Sequence, residues 1–239
     1  MITIDRVSKT KGRTRILYDV SFEARPGRVT GFLGPNGAGK TSTLRVLLGL
    51  DRADGGTALV CGRRYRDLDR PLTRVGALLD GSGAHRARTA RAHLRWMAAS
   101  NGLPGSRVDE VLEVVGLTAD ARKRAGRFSL GMSRRLGLAT ALLGDPEVLI
   151  LDEPINGLDP SGIRWMRTFL RERAAQGRTV LLSSHLMGEL AETADDVVVI
   201  DKGRVVVSGS LAEVTGDHRT LEDAFFALTA TSAPDGAAW

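Results

Sequence analysis

The sequence predicts an α/β fold in which a mostly parallel sheet is flanked by helices. The first observation is that short apolar runs alternate with segments of helical spacing in the second half of the chain. The second is that these runs are continuously apolar, as at residues 148–151, which is typical of strands buried on both faces of a parallel sheet. The third is the apolar run at 29–33, which leads through a Gly-rich loop into a helical segment.

The elements follow from local patterns in chain order. Strand-like apolar runs, bounded by Gly, Pro and other turn residues, predict strands over 2–7, 16–24, 29–33, 57–61, 75–79, 147–151, 179–183 and 197–200. Helical spacing predicts helices over 41–50, 163–176 and 187–194, and a largely helical region over 89–143 with breakers at 102–105 and 116. The Ala-, Ser-, Thr-, Pro- and Gly-rich residues 227–239 predict a frayed tail.

The composition is that of one globular domain. With 239 residues, 42% hydrophobic and 26% charged, the chain is long enough for a single large α/β domain. No stretch approaches the roughly 20 continuous apolar residues of a membrane-spanning helix, and the first residues lack the basic and apolar regions of a signal peptide. A single cysteine, Cys61, fits a reducing compartment. These features predict a cytoplasmic protein.

The basic balance gives little support to a nucleic-acid partner. The net charge of +6 comes mainly from arginines spread along the chain, and aromatic residues make up only 5%. Because there is no basic tail and no basic stretch interleaved with aromatics, no nucleic acid is expected. Residues 63–74 and 85–95 are locally basic. They could face lipid headgroups, although a solvated charged surface is the favoured interpretation.

The strongest motif predicts a phosphate-binding loop. Residues 34–41 fit the pattern G-x-x-x-x-G-K-[ST] between an apolar strand and a helix. Glycines let the backbone curl so that N–H groups point at phosphate oxygens, and the helix N-terminus adds positive charge. Lys40 is predicted to reach the β- and γ-phosphates of ATP, and Thr41 to ligate Mg²⁺. The predicted ATP-binding residues of this segment are Gly34, Pro35, Asn36, Gly37, Ala38, Gly39, Lys40, Thr41 and Ser42.

Carboxylates follow the apolar run at 148–151. Ligands of an open parallel sheet bind at the carboxyl ends of its strands. Asp152 is therefore predicted to hold Mg²⁺, and Glu153 to orient and polarise the attacking water. His185 also follows an apolar strand and could hydrogen-bond the γ-phosphate. Glu153, His185 and Lys40 are the predicted catalytic residues. Alone, such carboxylates often reflect turn chemistry and a single histidine is often structural, but the phosphate loop upstream favours the functional interpretation.

Two further segments complete a family pattern. Phe128-Ser129-Leu130-Gly131-Met132 resembles the signature sequence of ABC transporter nucleotide-binding subunits, usually Leu-Ser-Gly-Gly-Gln, and residues 157–160 resemble their D-loop. The resemblance implies an α/β fold of the P-loop NTPase type, with a mostly parallel sheet flanked by helices, an N-terminal antiparallel β subdomain and an inserted helical subdomain at about 86–143. It also implies an ATP-binding domain over 1–217, followed by a C-terminal helix and flexible tail over 218–239.

This resemblance implies an ATP-hydrolysing motor subunit of a transporter, with ATP and Mg²⁺ as cofactors. Two chains, either two copies or this chain and a paralogue, would sandwich two ATP molecules head to tail, so Ser129, Gly131 and Asp159 join the predicted nucleotide-binding residues. The implied partner is a separate polytopic membrane subunit, which places this chain on the inner face of the cell membrane. Similar Ser-Leu-Gly-Met signatures occur in exporters, which favours export of a drug, an antibiotic or another small amphipathic molecule.

Several residues depart from the family pattern. Leu130 and Met132 replace the usual Gly and Gln of the signature, and Asp80 occupies the Q-loop position. Because a carboxylate can still bind Mg²⁺, Asp80 is a predicted metal ligand. No aromatic occurs near Lys11, where one usually stacks on adenine, so adenine is predicted to lie against Ile16 and the Lys11 stem.

Other classes of P-loop protein fit the sequence less well than a transporter motor. The main alternative is a soluble ABC ATPase that acts on ribosomes or nucleic acid. Such proteins usually carry two motor domains or a long coiled-coil insertion, and this sequence has neither. A GTP-binding switch would be expected to carry an Asn-Lys-x-Asp motif, which is also missing from the sequence. A catalytically inactive subunit is disfavoured because Lys40, Asp152, Glu153 and His185 are all present.

Overall fold

In the computed structural model, which describes residues 1–79 and 81–230, the elements follow the apolar pattern of the sequence. The strands are β1 (Ile2–Lys11), β2 (Thr14–Ala24), β3 (Val29–Leu33), β4 (Gly55–Val60), β5 (Val75–Leu78), β6 (Val148–Asp152), β7 (Thr179–Ser184), β8 (Asp196–Asp201) and β9 (Arg204–Ser210). The helices are α1 (Lys40–Leu47), α2 (Pro71–Arg74), α3 (Ala90–Ser100), α4 (Ser106–Val114), α5 (Leu130–Leu142), α6 (Pro160–Ala175), α7 (Met187–Ala191), α8 (Leu211–Thr215) and α9 (Leu221–Ala230). None of these described helices is long and apolar enough to span a bilayer.

Two sheets form the body of the fold. Strands β2, β1 and β4 pair antiparallel in that order and make up the predicted N-terminal antiparallel subdomain. The larger sheet has the order β5-β6-β7-β3-β8-β9, and its first five strands are parallel. The edge strand β9 pairs antiparallel with β8. The predicted mostly parallel sheet is therefore confirmed.

Successive residues of the central strands pack into two different cores. In β6, Val148 and Ile150 pack with residues of β1, β2 and α1, whereas Leu149 and Leu151 pack with residues of α3 to α6. Side chains along a strand alternate between the two faces of its sheet. A strand covered on both faces must therefore be apolar at successive positions, which is why residues 148–151 form a continuous apolar run.

The helical region is an insertion between two neighbouring strands. Helices α3, α4 and α5 lie between β5 and β6 in the chain, yet β5 and β6 are adjacent in the sheet. The three helices pack on one another, and α5 also packs on β5. The hydroxyls of Thr89 and Ser129 accept backbone N–H bonds at the N-termini of α3 and α5. The inserted helical subdomain is confirmed, while its limits at 86–143 stay a prediction.

The C-terminal part contains more regular structure than predicted. The sequence patterns did not predict β9 or α8, although α8 begins with a capping box formed by Ser210 and Glu213. Helix α9 buries Leu221 and Phe225 in the core that also holds α3 to α7. Residues 227–230 are helical, so the frayed tail predicted from residue 227 was wrong there, and residues 231–239 lie outside the described residues. The domain division at 217 stays a prediction.

Candidate functional site

The predicted site residues follow three adjacent parallel strands. Strand β7 lies between β6 and β3, and all three run in the same direction. In this register Asp152 pairs with Ser183, and Leu33 pairs with Ser184. Because the strands end at one edge of the sheet, the loop after β3, the carboxylates at the end of β6 and the histidine after β7 lie together there.

The loop after β3 has a backbone that requires glycine. Gly34 is buried, and a Cβ there would lie 2.3 Å from Ile200 O. Gly37 and Gly39 have φ values of 84° and 111°, which side chains other than hydrogen rarely permit. Ala38 N–H donates to Pro35 O at 3.2 Å and closes the turn just before α1 begins. The local sequence thus produces a tight loop that leads into a helix N-terminus, as an anion-binding loop requires.

Lys40 is a buried cation that joins this loop to the end of β6. Its Nζ donates to Gly34 O at 2.6 Å and to Pro35 O at 3.2 Å. It also lies 3.5 Å from Glu153 Oε1, and only 7% of its side chain is exposed. Since a buried charge needs partners, the carbonyls and the Glu153 carboxylate together stabilise the ammonium group beside the loop.

Asp152 is buried and receives two hydroxyl hydrogen bonds. Its Oδ2 accepts from Thr41 Oγ1 at 2.7 Å, and its Oδ1 accepts from Ser183 Oγ. The residue is 5% exposed. A hydroxyl and a carboxylate at this spacing are hard oxygen ligands that suit Mg²⁺. Within the described residues no group of three or more His, Cys, Asp or Glu side chains could hold a metal, so water and phosphate oxygens would have to complete such a shell.

Glu153 combines a strained backbone with several polar contacts. Its φ of 49° is uncommon for a residue other than glycine. Its N–H donates to Ser183 O at 3.2 Å and to Ser183 Oγ at 3.1 Å. Its Oε2 lies 2.9 Å from His185 Nδ1 and accepts from Asn156 Nδ2 at 3.3 Å. The carboxylate is thereby held between a cation and an imidazole, an arrangement that can position a water molecule and accept its proton.

Ser129 and Gly131 lie at the N-terminus of α5, the last helix of the inserted helical region. Ser129 Oγ accepts from Met132 N–H at 3.2 Å, and the serine is exposed. A Cβ on Gly131 would lie 3.4 Å from Gly157 O, so the signature segment contacts the D-loop of the same chain. No hydrogen bond or ion pair in the described part of the chain joins Ser129 or Gly131 to the phosphate loop. Their predicted role on a nucleotide stays a prediction.

Three more residues that were predicted to bind nucleotide make contacts with the protein itself in the described structure. Asp159 caps α6 by accepting from Gly162 N–H at 2.8 Å and from Ser161 Oγ at 3.0 Å, and these bonds lower the pKa of its carboxyl. The half-buried Ile16 packs against the core, and its carbonyl oxygen lies 3.5 Å from where a Cβ on Gly39 would be. Lys11 is exposed at the end of β1. Nucleotide contacts of all three stay predictions, and the predicted metal ligand Asp80 lies outside the described residues.

Sequence reasoning assigned no role to two residues that position the carboxylates. Ser183 contacts both Asp152 and Glu153, and Asn156 contacts Glu153. Ser183 does carry a sequence signal, because a hydroxyl at the end of an otherwise apolar buried strand needs a hydrogen-bond partner. Asn156 carries no such signal, since it follows the acidic strand in a turn where asparagine is common.

Comparisons with known proteins agree with this geometry. Residues 17–156 match the ABC transporter family. The chain is 40% identical to the uncharacterized ABC transporter ATP-binding protein YhcH of Bacillus subtilis, over 95% of this chain and 74% of that protein. It is 39% identical to the bacitracin transport ATP-binding protein BcrA of Bacillus licheniformis, over 89% and 69%. It is 32% identical to the lantibiotic transport ATP-binding protein SrtF of Streptococcus pyogenes, over 87% and 90%.

Solved structures of ATP-binding proteins share the fold of this chain. The fold matches a structure described as the ATP-binding subunit of an ABC transporter with a TM-score of 0.87 and 26% identity, over 96% of this chain and 99% of that one. It also matches a dimeric ATP-binding cassette bound to ADP and Pi with a TM-score of 0.79 and 20% identity, over 88% and 99%, which bears on the fold alone. The chain therefore belongs to the ABC transporter family, in its class of ATP-binding subunits that carry an ATPase domain.

Proposed function

We propose that this chain is the ATP-hydrolysing motor of an exporter for an antibiotic or another small amphipathic molecule. The observation that carries the proposal is the convergence of Lys40, Thr41, Asp152, Glu153 and His185 at one edge of the sheet. The cargo class follows from the relatives that are named for bacitracin and lantibiotic transport. These names also favour transport over the alternative of a soluble ATPase on ribosomes or nucleic acid.

Phosphate binding is assigned to the loop after β3 and the start of α1. The backbone N–H groups of residues 34–39 and the N-terminus of α1 would bind the phosphate oxygens of ATP. Lys40 Nζ already lies beside the loop through Gly34 O at 2.6 Å, and a phosphate oxygen is a stronger partner for it than a neutral carbonyl. Thr41 and Asp152 would hold Mg²⁺, which neutralises charge on the β- and γ-phosphates when bound.

Hydrolysis is assigned to Glu153. Its carboxylate would accept a hydrogen bond from the attacking water and orient the oxygen toward the γ-phosphate, so that ATP and water give ADP and phosphate. Asn156 and His185 hold Oε2 of this carboxylate at 3.3 Å and 2.9 Å. His185 would in addition contact the γ-phosphate, and Lys11 and Ile16 would flank the adenine. Asp80 would be a further ligand of Mg²⁺.

The complete motor is proposed to be a dimer on a membrane partner. The exposed Ser129 and the adjacent Gly131 would contact a γ-phosphate held by the second chain, and Asp159 would line the same interface. Dimeric cassettes among the matching structures support a dimer. A separate transmembrane subunit would recognise the cargo, and this chain would lie on the inner face of the cell membrane as a peripheral subunit.

Glu153→Gln tests the hydrolytic assignment. The variant should bind ATP with unchanged affinity, lose at least about 100-fold in turnover because the water loses its oriented acceptor, and elute as a dimer with ATP on a sizing column. The matched control is Glu147→Gln, the same substitution just before β6, where the carboxylate pairs with Arg74 at the opposite end of the strand from Asp152. Turnover within threefold of wild type in Glu153→Gln (about 0.6 kcal/mol) would sink the assigned role.

A further inference from the structure

The inserted helical region is strongly basic. Residues 86–143 contain eleven Lys or Arg and four Asp or Glu, a net charge of +7, whereas the whole chain has +6. The rest of the chain is therefore close to neutral, at −1. That remainder is close to neutral because residues 1–50, at +6, are offset by residues 144–239, at −8. Net charge along the sequence therefore does not single out the helical region, and what distinguishes this region is how its charges are arranged in the fold.

Folding brings two basic segments of this region side by side. Residues 86–91 precede and enter α3, and residues 121–127 follow α4. Four backbone hydrogen bonds tie the two segments together: Ala90 N–H to Lys123 O, Arg91 N–H to Ala121 O, Ala125 N–H to Arg88 O and Gly126 N–H to Arg86 O, at 2.9–3.1 Å. Charges that are distant in sequence are thus held on one part of the surface.

The cations line two adjoining grooves, which we call the basic surface. One groove of about 530 Å³ is lined by Arg91, Arg95 and Arg122, and the other of about 460 Å³ by Arg122, Lys123, Arg124 and Arg127. Asp109 pairs with Arg91, and Asp120 pairs with Lys123. In the described part of the chain the other four arginines have no carboxylate within 4.0 Å, and all four are exposed: Arg95, Arg122, Arg124 and Arg127.

We propose that the basic surface binds the headgroups of anionic phospholipids; this rests on the proposed function, in which a membrane partner places the chain beside the bilayer. The guanidinium fork binds phosphate through two parallel N–H bonds. Clusters of 4–8 basic residues next to a membrane are attracted to its anionic leaflet. Four arginines without carboxylate partners can therefore exchange solvent for lipid phosphates without breaking an internal ion pair.

Trp96 favours a membrane over a nucleic acid as the anionic partner. It follows Arg95 on α3, is 51% exposed and stacks under the guanidinium of Arg88, whose Cζ lies 4.5 Å from the ring centre. An exposed indole beside cations suits the headgroup level of a bilayer, where its apolar ring and polar N–H are both accommodated. A single-stranded nucleic acid would need several stacking rings, and residues 86–127 expose this one aromatic.

Vesicle co-sedimentation of the purified full chain tests the proposal. The vesicles contain phosphatidylcholine alone or with about 30% phosphatidylglycerol, because attraction to anionic lipid is expected to require the negative leaflet charge. The test variant carries Arg95→Gln, Arg122→Gln and Arg124→Gln. The matched control removes the same charge from three exposed arginines outside the inserted helical region, with Arg25→Gln, Arg171→Gln and Arg219→Gln.

Wild type should bind the anionic vesicles and not the neutral ones. Each basic residue at an anionic surface contributes about fivefold, so the test variant should lose about 100-fold in partition coefficient and the control less than about threefold. Thermal unfolding within about 3 °C of wild type verifies that both variants fold. Glu153→Gln should bind vesicles like wild type, which separates a failure here from a failure of the hydrolytic assignment.

Four outcomes would overturn the proposal. Wild type could ignore lipid charge, or the control could lose as much binding as the test variant, which would mean that net charge alone acts. Inorganic phosphate at about 10 mM could displace the protein from the vesicles when a chloride salt of the same ionic strength does not. That result would instead make the basic surface a site for free phosphate. Binding of a single-stranded RNA that depends on the same three arginines, without vesicle binding, would make the partner a nucleic acid.

Discussion

Ser183→Ala removes a hydroxyl on which both acidic residues of the site depend. Ser183 is fully buried at the end of β7, opposite Asp152 in the parallel register. Its Oγ donates to Asp152 Oδ1 and accepts from Glu153 N–H. Glu153 N–H also donates to Ser183 O at 3.2 Å, a bond that survives the substitution. The main loss is therefore the hydrogen bond to the buried carboxylate of Asp152.

The size of the effect follows from the burial of Asp152. A hydrogen bond to a charged group contributes about 1.5–3 kcal/mol, and a buried acceptor left without its donor loses that contribution. Asp152 keeps the bond from Thr41 Oγ1 at 2.7 Å, so the free energy of unfolding should fall by about 2 kcal/mol rather than more. For a chain of 239 residues this corresponds to a decrease in Tm of about 4–8 °C.

Urea and thermal unfolding of Ser183→Ala measure this loss, with Ser184→Ala as the control. Ser184 is the next residue of β7 and is also buried, but its Oγ accepts from Leu186 N–H at 3.0 Å instead of contacting a carboxylate. The control should lose about 1 kcal/mol or less. The rise in Tm on adding ATP and Mg²⁺ should also shrink in Ser183→Ala and not in the control. Equal destabilisation of the two variants would refute the reasoning.

Two further predictions concern the loop and the inserted helices. Gly34→Ala places a Cβ 2.3 Å from Ile200 O and should lower the free energy of unfolding by about 2–3 kcal/mol. In Gly37→Ala the added Cβ meets no atom within 4 Å, but the φ of 84° should lower the free energy of unfolding by about 1–2 kcal/mol. Thermal unfolding that finds Gly37→Ala the less stable of the two variants would contradict the packing argument. Burial, and secondarily the charge of Arg88, lower the pKa of His93 below its ordinary 6.5. Below about pH 6.5 the unfolded chain therefore binds a proton at His93 that the folded chain does not bind. The free energy of unfolding should fall as the pH drops through this range, by at most about 1.4 kcal/mol per pH unit. Urea unfolding at pH 7, 6 and 5 should show a shallower pH dependence in His93→Gln, and an unchanged dependence would exclude His93 as its source.

The fold could be predicted where strands are buried on both faces. β6, β7 and β8 each contain a continuous apolar run and β3 is a short, mostly apolar segment, so their positions were predicted to within one or two residues. β9 was missed although it contains three consecutive valines at 205–207; the apolar run is short, and the strand lies half-buried at the sheet edge. A turn signal was nevertheless present: Lys202 and Gly203, with φ values of 46° and 78°, join β8 to β9 as a tight hairpin.

The site was predictable to the extent that its chemistry is written locally. The residue spacing of the loop at 34–41 is specific to phosphate binding, so the residues of this loop could be predicted from the sequence. Asn156 and Ser183 act through neighbours that are distant in the chain, and periodicity gives no strand order from which such neighbours could be inferred. Asp159 shows that one local pattern can also have two meanings. The Asp-Pro pair that resembles a D-loop is at the same time the start of a helix, with Asp159 as the N-cap and Pro160 at the first helical position.

Strand register explains why these separate motifs form one site. β7 lies between β6 and β3, so its register with each of them fixes the position of the phosphate loop relative to Asp152 and Glu153 along the strand direction. Because side chains alternate along a strand, a slip of β7 by one residue would turn Ser183 to the opposite face of the sheet and away from Asp152. The carboxylate would then lose its buried donor, and His185 would move away from Glu153. Correct pairing of β7 is therefore a requirement of the site, although β7 itself contributes no charged group to it.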